Sequence, residues 1–256
     1  MRTIALTGSA SGIGAAVRAQ LEAAGDRVIG VDLRNAEVTA DLADRAGRDA
    51  AVAGVLAASG FRLDGLVVCA GVGPQVRPST TIVSVNYFGA ADLLAGLRPT
   101  LMNGTDAAAV AVSSNSATIV PSADGPLAAA CLAGDEADAR RLAESMDGSS
   151  VYAASKLALA RFVRRHAPRE EWAGAGIRLN AIAPGAVLTP LLQDGLDDAK
   201  LGPAIRSFPV PLGGFGRPKQ IADAIAFLLS PAASFCCGSV VYVDGGSDAL
   251  VRGDAY

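Results

Sequence analysis

The residues of this chain best suited to proton chemistry are Tyr152 and Lys156, which stand four positions apart in the sequence VYAASK. The surrounding residues have a helical pattern, so this spacing places the phenol and the ammonium on one face of a helix. A free tyrosine loses its proton only at about pH 10, whereas a general acid or base works best when its pKa lies near the operating pH. A positive charge about 4 Å from a phenolate stabilises it by about 4 kcal/mol at an effective dielectric of about 20, which lowers the pKa of the tyrosine by about three units. Lys156 is therefore predicted to make Tyr152 a proton-transfer group near neutral pH.

A glycine-rich turn near the start of the chain points to a second kind of chemistry. The segment TGSASGIG follows the apolar run TIALT and leads into an alanine-rich helix. Glycines let the backbone turn sharply and approach a pyrophosphate, while the helix N-terminus presents oriented N–H groups. Asp32 closes the next apolar run, RVIGVD, where its carboxylate can accept both hydroxyl groups of an adenosine ribose. This order of elements predicts a dinucleotide site formed by Gly8, Ser11, Gly12, Ile13, Gly14, Asp32 and Leu33.

The acid at the end of the second run also favours NAD over NADP as the cofactor. A 2′-phosphate beside Asp32 would meet a like charge, which is strongly unfavourable in a partly dry site. Arg34, two positions further on, is able to pair with a phosphate, so NADP remains the alternative.

The elements that position these residues follow from the alternation of apolar runs with alanine-rich stretches of helical period. This alternation is typical of a parallel sheet covered by helices on both faces. Strands are predicted at TIALT, RVIGVD, DGLVVCA, AAAVAVS, IRLNAIA and VVYVDG. Helices are predicted at about 12–24, 84–98, 152–167 and 218–229. The predicted fold class is α/β, a Rossmann-type doubly wound parallel sheet in three layers.

The length of 256 residues predicts a single domain over 1–256, because no repeat or low-complexity linker divides the chain. The stretch 115–151 is long for a connection between a strand and a helix. It contains PLAAACLAGDEADARRLAESM, which predicts one or two helices of an inserted lobe before the helix of Tyr152.

Composition argues against several other classes of protein. The net charge of -3 and the scattered basic residues argue against binding to nucleic acid. The chain has no apolar run of membrane-spanning length and no signal-peptide pattern, so a soluble, cytoplasmic protein without a membrane partner is expected. The four cysteines lack CxxC spacing, and His166 is the only histidine, so no metal site is expected.

These motifs resemble those of the short-chain dehydrogenase/reductase family, whose glycine-rich pattern is similar to TGSASGIG and whose active-site pattern is similar to YAASK. The resemblance covers nearly the whole chain. It implies that Ser114, at the end of AVAVSS, binds the substrate oxygen, with Ser113 as the competing candidate. It also implies that Asn86, in VSVNYFGA, holds a water of the proton relay. Tyr152 and Lys156 complete the implied catalytic set.

The same resemblance assigns further residues to the nucleotide. Cys69 stands where the family's Asn-Asn-Ala-Gly stretch usually has asparagine, so a hydrogen bond that supports the central sheet is expected to be missing. Ile182 and Val187 are expected to pack against the nicotinamide ring. The residues that the resemblance places beside the cofactor are Asp41, Leu42, Ala70, Gly71, Tyr152, Lys156, Pro184, Gly185, Val187 and Thr189.

The family resemblance implies an NAD(H)-dependent oxidoreductase that interconverts a secondary alcohol and a ketone. The segment after Thr189, LLQDGLDDAKLGPAIRSF, is interpreted as an apolar loop with few polar groups, which suits a bulky hydrophobic substrate. VSVNYFGA, the long segment before Tyr152, APGAVLTPLLQ and the tail SPAAS...VDGG resemble the bacterial 3α-hydroxysteroid dehydrogenase/carbonyl reductase subgroup of the family. This implies a hydroxysteroid or another bulky cyclic small molecule as the substrate.

Several alternatives to this function remain open at the level of sequence. The substrate can instead be a small polyol, a sugar or an acyl thioester, and the reaction can be an epimerisation or a dehydration. A nucleotide-sensing protein without turnover is a further alternative.

A homo-oligomer, a dimer or a tetramer, is expected. In many relatives the helices that flank the inserted lobe form the dimer interface. Because the lobe would have to cover or rebuild this surface, the contact between copies is expected to differ.

Overall fold

Seven parallel strands form one sheet in the computed structural model, which describes residues 1–255. The strands are β1 (Thr3–Thr7), β2 (Arg27–Asp32), β3 (Val38–Thr39), β4 (Gly65–Val68), β5 (Ala108–Val112), β6 (Arg178–Pro184) and β7 (Val240–Val243). Their order across the sheet is β3-β2-β1-β4-β5-β6-β7, and every neighbouring pair is parallel. The strand order reverses between β1 and β4, so a crevice is expected at the carboxyl ends of these strands. The predicted fold class is confirmed.

Helices cover both faces of the sheet. They are α1 (Gly12–Ala23), α2 (Arg45–Ser59), α3 (Ser79–Val83), α4 (Ala90–Leu101), α5 (Ser116–Ile119), α6 (Pro126–Ala133), α7 (Glu136–Glu144), α8 (Gly148–His166), α9 (Pro190–Asp197), α10 (Leu201–Ser207), α11 (Pro218–Leu229) and α12 (Ser247–Val251). A π-helical turn, Ser84–Gly89, joins α3 to α4. The predicted helix at 84–98 is therefore part of a longer helical stretch. The segment after Thr189 is not a loop, because α9 and α10 occupy it.

The apolar runs of the five strands β1, β2, β4, β5 and β6 are buried because a hydrophobic layer covers each face of the sheet there. Successive strand residues point to opposite faces. Ile4 and Leu6 accordingly pack with α1 and α11, whereas Ala5 packs with α2, α4 and α8. The two layers hold the carboxyl ends of the strands in place, where the glycine turn and the catalytic candidates begin.

The segment between β5 and α8 is tied to the rest of the chain by a buried arginine. Arg48 of α2 has only 1% of its surface exposed, and its guanidinium lies 2.9 Å from Asp92 of α4 and 2.5 Å from Glu136 of α7. A charge so deeply buried needs paired partners, so these contacts hold α7 against α2 and α4. Helices α5, α6 and α7 lie where the inserted lobe was expected. The division into one domain with an inserted lobe at 115–151 stays a prediction.

None of the helices within residues 1–255 combines the length and the apolar character that crossing a membrane requires.

Candidate active site

A cavity of about 1260 Å³ opens at the carboxyl ends of the parallel strands, where the strand order reverses at β1 and β4. Gly8, Asp32, Cys69, Ser113 and Gly185 line it, and each ends a strand or closely follows one. It brings together all of the residues predicted to bind the cofactor: Gly8, Ser11, Gly12, Ile13, Gly14, Asp32, Leu33, Asp41, Leu42, Ala70, Gly71, Tyr152, Lys156, Pro184, Gly185, Val187 and Thr189. This is the crevice position at which open α/β sheets bind their ligands.

Ile182 is an exception to the expected packing around the nicotinamide. Its side chain is fully buried in the hydrophobic layer beneath α1 and α11, and it does not line the cavity. The expectation for Ile182 is therefore wrong, because its side chain points to the face of β6 that α1 and α11 cover. Val187, in contrast, lines the cavity.

The glycines of the turn stand where the backbone packs too closely for any side chain. Gly8 has a φ of 70°, and a Cβ atom on it would lie 2.9 Å from the backbone nitrogen of Ala70. A Cβ on Gly14 would lie 1.9 Å from the carbonyl oxygen of Gly8. Ser11, the N-cap of α1, makes no side-chain capping bond, so the first N–H groups of the helix are left for a ligand. This cradle fits the pyrophosphate of a dinucleotide.

Backbone groups fix the carboxylate of Asp32 at the edge of the cavity. Its Oδ2 accepts the N–H of Ala10 at 2.9 Å, and its Oδ1 accepts the N–H of Leu33 at 2.7 Å. A carboxylate has about four lone-pair positions, so both oxygens can still accept hydroxyl groups of a ligand. Arg34 is exposed and lines the same end of the cavity.

Helix α8 carries Tyr152 and Lys156 and is locked to the end of β5. The Nζ of Lys156 donates to the carbonyl oxygen of Val112 at 2.9 Å, and Ser113 Oγ donates to the carbonyl oxygen of Lys156 at 2.8 Å. The same Nζ lies 5.9 Å from the centre of the Tyr152 ring. Asp147 caps the helix by accepting the N–H groups of Ser149 and Ser150. The lysine is thus held rigidly between the strand and the tyrosine.

The prediction that Lys156 brings the pKa of Tyr152 near neutral pH is wrong. Burial raises the pKa of Tyr152, and only the Ser114 hydroxyl acts in the opposite direction. Burial also lowers the pKa of Lys156 to about 8, which the neighbouring Cys69 partly offsets. The cost of removing the phenolate from water outweighs the attraction predicted from spacing alone. Tyr152 therefore rests as a neutral phenol with a proton to give.

The two serines at the end of β5 differ in what their hydroxyl groups contact. Ser113 Oγ donates its one hydrogen to the carbonyl oxygen of Lys156. Ser114 Oγ instead accepts hydrogen bonds from the backbone nitrogen of Ser116 at 3.2 Å and from Ser116 Oγ at 3.0 Å. Ser114 accordingly keeps its own proton for another acceptor, and the geometry favours it over Ser113 for binding the substrate oxygen. That role stays a prediction.

Asn86 lies behind the cavity, in the π-helical turn, and is fully buried. Its Nδ2 donates to the carbonyl oxygen of Val72 at 3.0 Å, and its Oδ1 accepts the N–H of Val72 at 2.8 Å. A Cβ on Gly71 would lie 3.1 Å from Asn86 Oδ1 and 3.4 Å from Lys156 Nζ. The Asn86 side chain therefore holds the segment that follows β4 against the lysine. Its role in holding a water stays a prediction.

The cysteine that replaces the usual asparagine does not leave its segment unsupported. The backbone N–H groups of Cys69 and Ala70 both donate to Thr7 Oγ1, at 3.0 Å and 2.9 Å. This hydroxyl joins the end of β1 to the end of β4. Burial raises the pKa of Cys69 to about 12, so its side chain is a neutral thiol.

One wall of the cavity is largely apolar and comes mainly from α9 and α10. Thr189 caps α9 by accepting the N–H of Leu192 at 3.2 Å, and Pro190 stands at its first position. A threonine followed by proline is a start signal for a helix, and it was available in the sequence. The apolar residues of this wall are Ile119, Val120, Leu191, Leu192, Leu201, Ala204, Ile205 and Phe208.

Two family models match the chain. The one described as "NAD dependent epimerase/dehydratase family" matches residues 4–189, and the one described as "Enoyl-(Acyl carrier protein) reductase" matches residues 139–248. The 3-alpha-hydroxysteroid dehydrogenase/carbonyl reductase of Comamonas testosteroni is 48% identical over 255 residues, which cover 98% of this chain and 98% of that protein. The chain belongs to the short-chain dehydrogenase/reductase family. The resemblance predicted from the motifs is confirmed, and the chain is an enzyme of this family.

Two further proteins are similar over most of the chain. A tropinone reductase homolog of Arabidopsis thaliana is 32% identical over 254 residues, covering 95% of this chain and 78% of that protein. The crystal structure of the 3-alpha-hydroxysteroid dehydrogenase from Pseudomonas sp. B-0831 complexed with NADH superposes with a TM-score of 0.97 at 50% identity. That superposition covers 99% of this chain and all of the other.

Proposed function

We propose that this enzyme interconverts a secondary alcohol and a ketone with NAD(H), and that its substrate is a hydroxysteroid or another bulky cyclic compound. The observation that carries the proposal is that one cavity joins a dinucleotide cradle, the Ser114 and Tyr152 hydroxyl groups and an apolar wall. Support for the substrate class comes from the two hydroxysteroid dehydrogenases to which the chain is similar.

Different residues of the cavity bind different parts of the cofactor. The glycine turn and the first turn of α1 hold the pyrophosphate, Asp32 binds the adenosine ribose, and Pro184–Thr189 receives the nicotinamide. The bound cofactor supplies hydride transfer. The Nζ of Lys156 uses one hydrogen for Val112, so it has two left for the hydroxyl groups of the second ribose.

The protein groups supply proton transfer and hold the substrate oxygen. In reduction, Ser114 and Tyr152 both donate hydrogen bonds to the ketone oxygen, and Tyr152 gives its proton to the oxygen as the alcohol forms. In oxidation, Tyr152 first releases its own proton toward solvent, and the resulting phenolate then accepts the alcohol proton. A water held beside Asn86 links the tyrosine to solvent.

The charge of Asp32 is proposed to exclude NADP. We expect Asp32→Asn to lower the ratio of kcat/KM for NAD to that for NADP by about tenfold or more, because tenfold corresponds to about 1.4 kcal/mol and the variant removes a like-charge repulsion. Initial rates with both cofactors measure the ratio. Asp49→Asn, an exposed change on α2, is the matched control. An unchanged ratio in Asp32→Asn would show that another group, such as Arg34, selects the cofactor.

The substrate class is tested by comparing kcat/KM for hydroxysteroids, simple cyclic alcohols, sugars, polyols and hydroxyacyl thioesters. The apolar wall is expected to favour hydroxysteroids and cyclic alcohols by about a hundredfold or more over sugars and polyols, since polar hydroxyl groups would lose water without gaining partners. A preference for sugars, polyols or acyl thioesters contradicts the proposed class. Tight NAD binding without turnover of any of these compounds favours the nucleotide sensor.

We also propose that the enzyme is a cytoplasmic homo-oligomer whose contact differs from the usual one. Helix α8 is in contact with α5 and α6 of the segment that precedes it, so it is less free to meet a second copy. Phe227, Phe235 and Val241 are exposed on and near the edge strand β7, and they offer an alternative apolar surface. Light scattering at micromolar concentration is expected to give at least twice the mass of one chain. A monomeric mass contradicts this part of the proposal.

A further inference from the structure

We propose that Ser116 is a positioning residue that makes the Ser114 hydroxyl a hydrogen-bond donor only, so that Tyr152 alone exchanges a proton with the substrate oxygen. This inference rests on the proposed oxidoreductase function. It concerns a residue that the sequence patterns did not single out.

The geometry of Ser114 carries the inference. A serine hydroxyl has one hydrogen to donate and two lone pairs that accept. In Ser114 both accepting positions are used by Ser116, one by its backbone N–H at 3.2 Å and one by its Oγ at 3.0 Å. Ser114 is 7% exposed and lines the cavity, so its remaining O–H is available only on that side.

This arrangement determines where each proton goes. A ketone oxygen has two lone pairs, so it accepts one hydrogen bond from Ser114 and one from Tyr152. An alcohol has a single hydroxyl hydrogen and finds no accepting lone pair on Ser114, so it donates to Tyr152. During oxidation Tyr152 first releases its own proton toward solvent. The hydride then leaves the carbinol carbon for the cofactor, the hydroxyl proton passes to the Tyr152 phenolate, and Ser114 remains a donor to the oxygen throughout.

The turn that carries Ser116 is fixed to distant parts of the chain. Next to Ser116, Asn115 donates through its backbone N–H to Pro184 at 2.9 Å and through Nδ2 to Asp244 at 3.2 Å. Thr118 Oγ1 donates to Asp248 of α12 at 2.6 Å. These bonds hold α5 to the end of β6 and to α12, so Ser116 meets Ser114 in one defined position. The Ser116 side chain is partly buried and lines the cavity beside it.

Removing the Ser116 hydroxyl frees one lone pair of Ser114. In Ser116→Ala, Ser114 is then able to accept a hydrogen bond from Tyr152 or from the alcohol, which is a non-productive arrangement. We expect kcat for alcohol oxidation to fall about tenfold with KM within about threefold of wild type. Removing a hydrogen-bond donor to a developing oxyanion lowers kcat by about a hundredfold or more. The loss of kcat in Ser116→Ala is expected to be smaller because the donor, Ser114, is still present.

Ser116→Thr keeps a hydroxyl at the same position and is expected to stay within about threefold of wild-type kcat. Ser122→Ala removes an exposed hydroxyl that contacts Ser150 outside the cavity, and it serves as the matched serine-to-alanine control.

The pKa of Tyr152 separates a positioning role from a merely structural one. A donating Ser114 stabilises the phenolate, whereas an accepting Ser114 stabilises the neutral phenol. Ser116→Ala is therefore expected to raise the pKa of Tyr152, so the acidic limb of the pH profile for alcohol oxidation moves to higher pH by about half a unit or more. Ultraviolet titration of the phenolate without cofactor, with each protein compared to its own Tyr152→Phe variant, measures the same change directly.

Two results would overturn the inference: a Ser116→Ala variant with wild-type kcat and an unmoved phenolate titration, or a Ser116→Thr variant as impaired as Ser116→Ala. Failure of the proposed function looks different. In that case the wild-type enzyme oxidises no alcohol, while the phenolate titration still reports whether Ser116 acts on Tyr152 through Ser114.

Discussion

Tyr152→Phe is expected to lower turnover by about a hundredfold or more while leaving the dissociation constant for NAD nearly unchanged. The change removes only the hydroxyl group that gives or takes the proton, and general acid-base catalysis contributes about a hundredfold to ten-thousandfold. The aromatic ring keeps its place on α8, whose position depends on Asp147 and on the contact of Lys156 with β5. Stopped-flow absorbance of the reduced nicotinamide measures turnover, and fluorescence titration measures binding.

Tyr242→Phe is the matched control for this substitution. Tyr242 lies on β7, where its hydroxyl is 3.4 Å from Arg252 and away from the cavity. The control is expected to keep wild-type turnover. Turnover of Tyr152→Phe within tenfold of wild type would show that another group transfers the proton.

Lys156→Met is expected to lower kcat by about a hundredfold and also to change how stability depends on pH. The variant loses the charge beside Tyr152 and the donors to the cofactor ribose, effects of the size that general acid-base and positioning groups supply. Burial lowers the pKa of Lys156 from the ordinary 10.5 to about 8 in the folded enzyme. Between these two values the unfolded chain binds more protons than the folded one, so the free energy of unfolding of the wild type rises with pH.

The size of this change follows from the difference in pKa. Relative to Lys156→Met, the wild type is expected to gain about 3 kcal/mol of unfolding free energy as the pH rises from about 8 to about 10.5. Urea unfolding of both proteins at several pH values measures the difference. Lys200→Met, an exposed lysine on the surface, controls for the change in net charge. Parallel pH dependence in the wild type and Lys156→Met would mean that the folded enzyme does not penalise the Lys156 charge.

Sequence patterns were most successful for secondary-structure elements that can be recognised from their own residues alone. The apolar runs predicted six of the seven strands because strands covered on both faces need uninterrupted apolar residues. The remaining strand, β3, has two residues and too little pattern to be recognised. Helix α2 was not predicted, although Asp44 caps its start and Gly60 ends it in the left-handed conformation.

The site was predictable as a set of residues but not as a set of contacts. Glycine spacing, Asp32 and the Tyr152–Lys156 pair indicated which residues meet, since the carboxyl ends of parallel strands share one edge. The direction of the Tyr152 pKa shift depends on burial, which spacing does not reveal. The bond between Thr118 and Asp248 joins residues 130 positions apart, so the sequence pattern gave no sign of the turn that carries Ser116.

In the proposed reaction, hydride moves between a nicotinamide and a carbinol carbon in this cavity. The most direct measurement incubates the enzyme with a 3-ketosteroid and NADH that carries deuterium at both C4 positions, followed by mass spectrometry of the product. The expected product is a hydroxysteroid with a single deuterium on the carbinol carbon, formed at least about a hundredfold more slowly by Tyr152→Phe. An alcohol without deuterium from the cofactor, or no alcohol from any ketone supplied, would rule out this reaction.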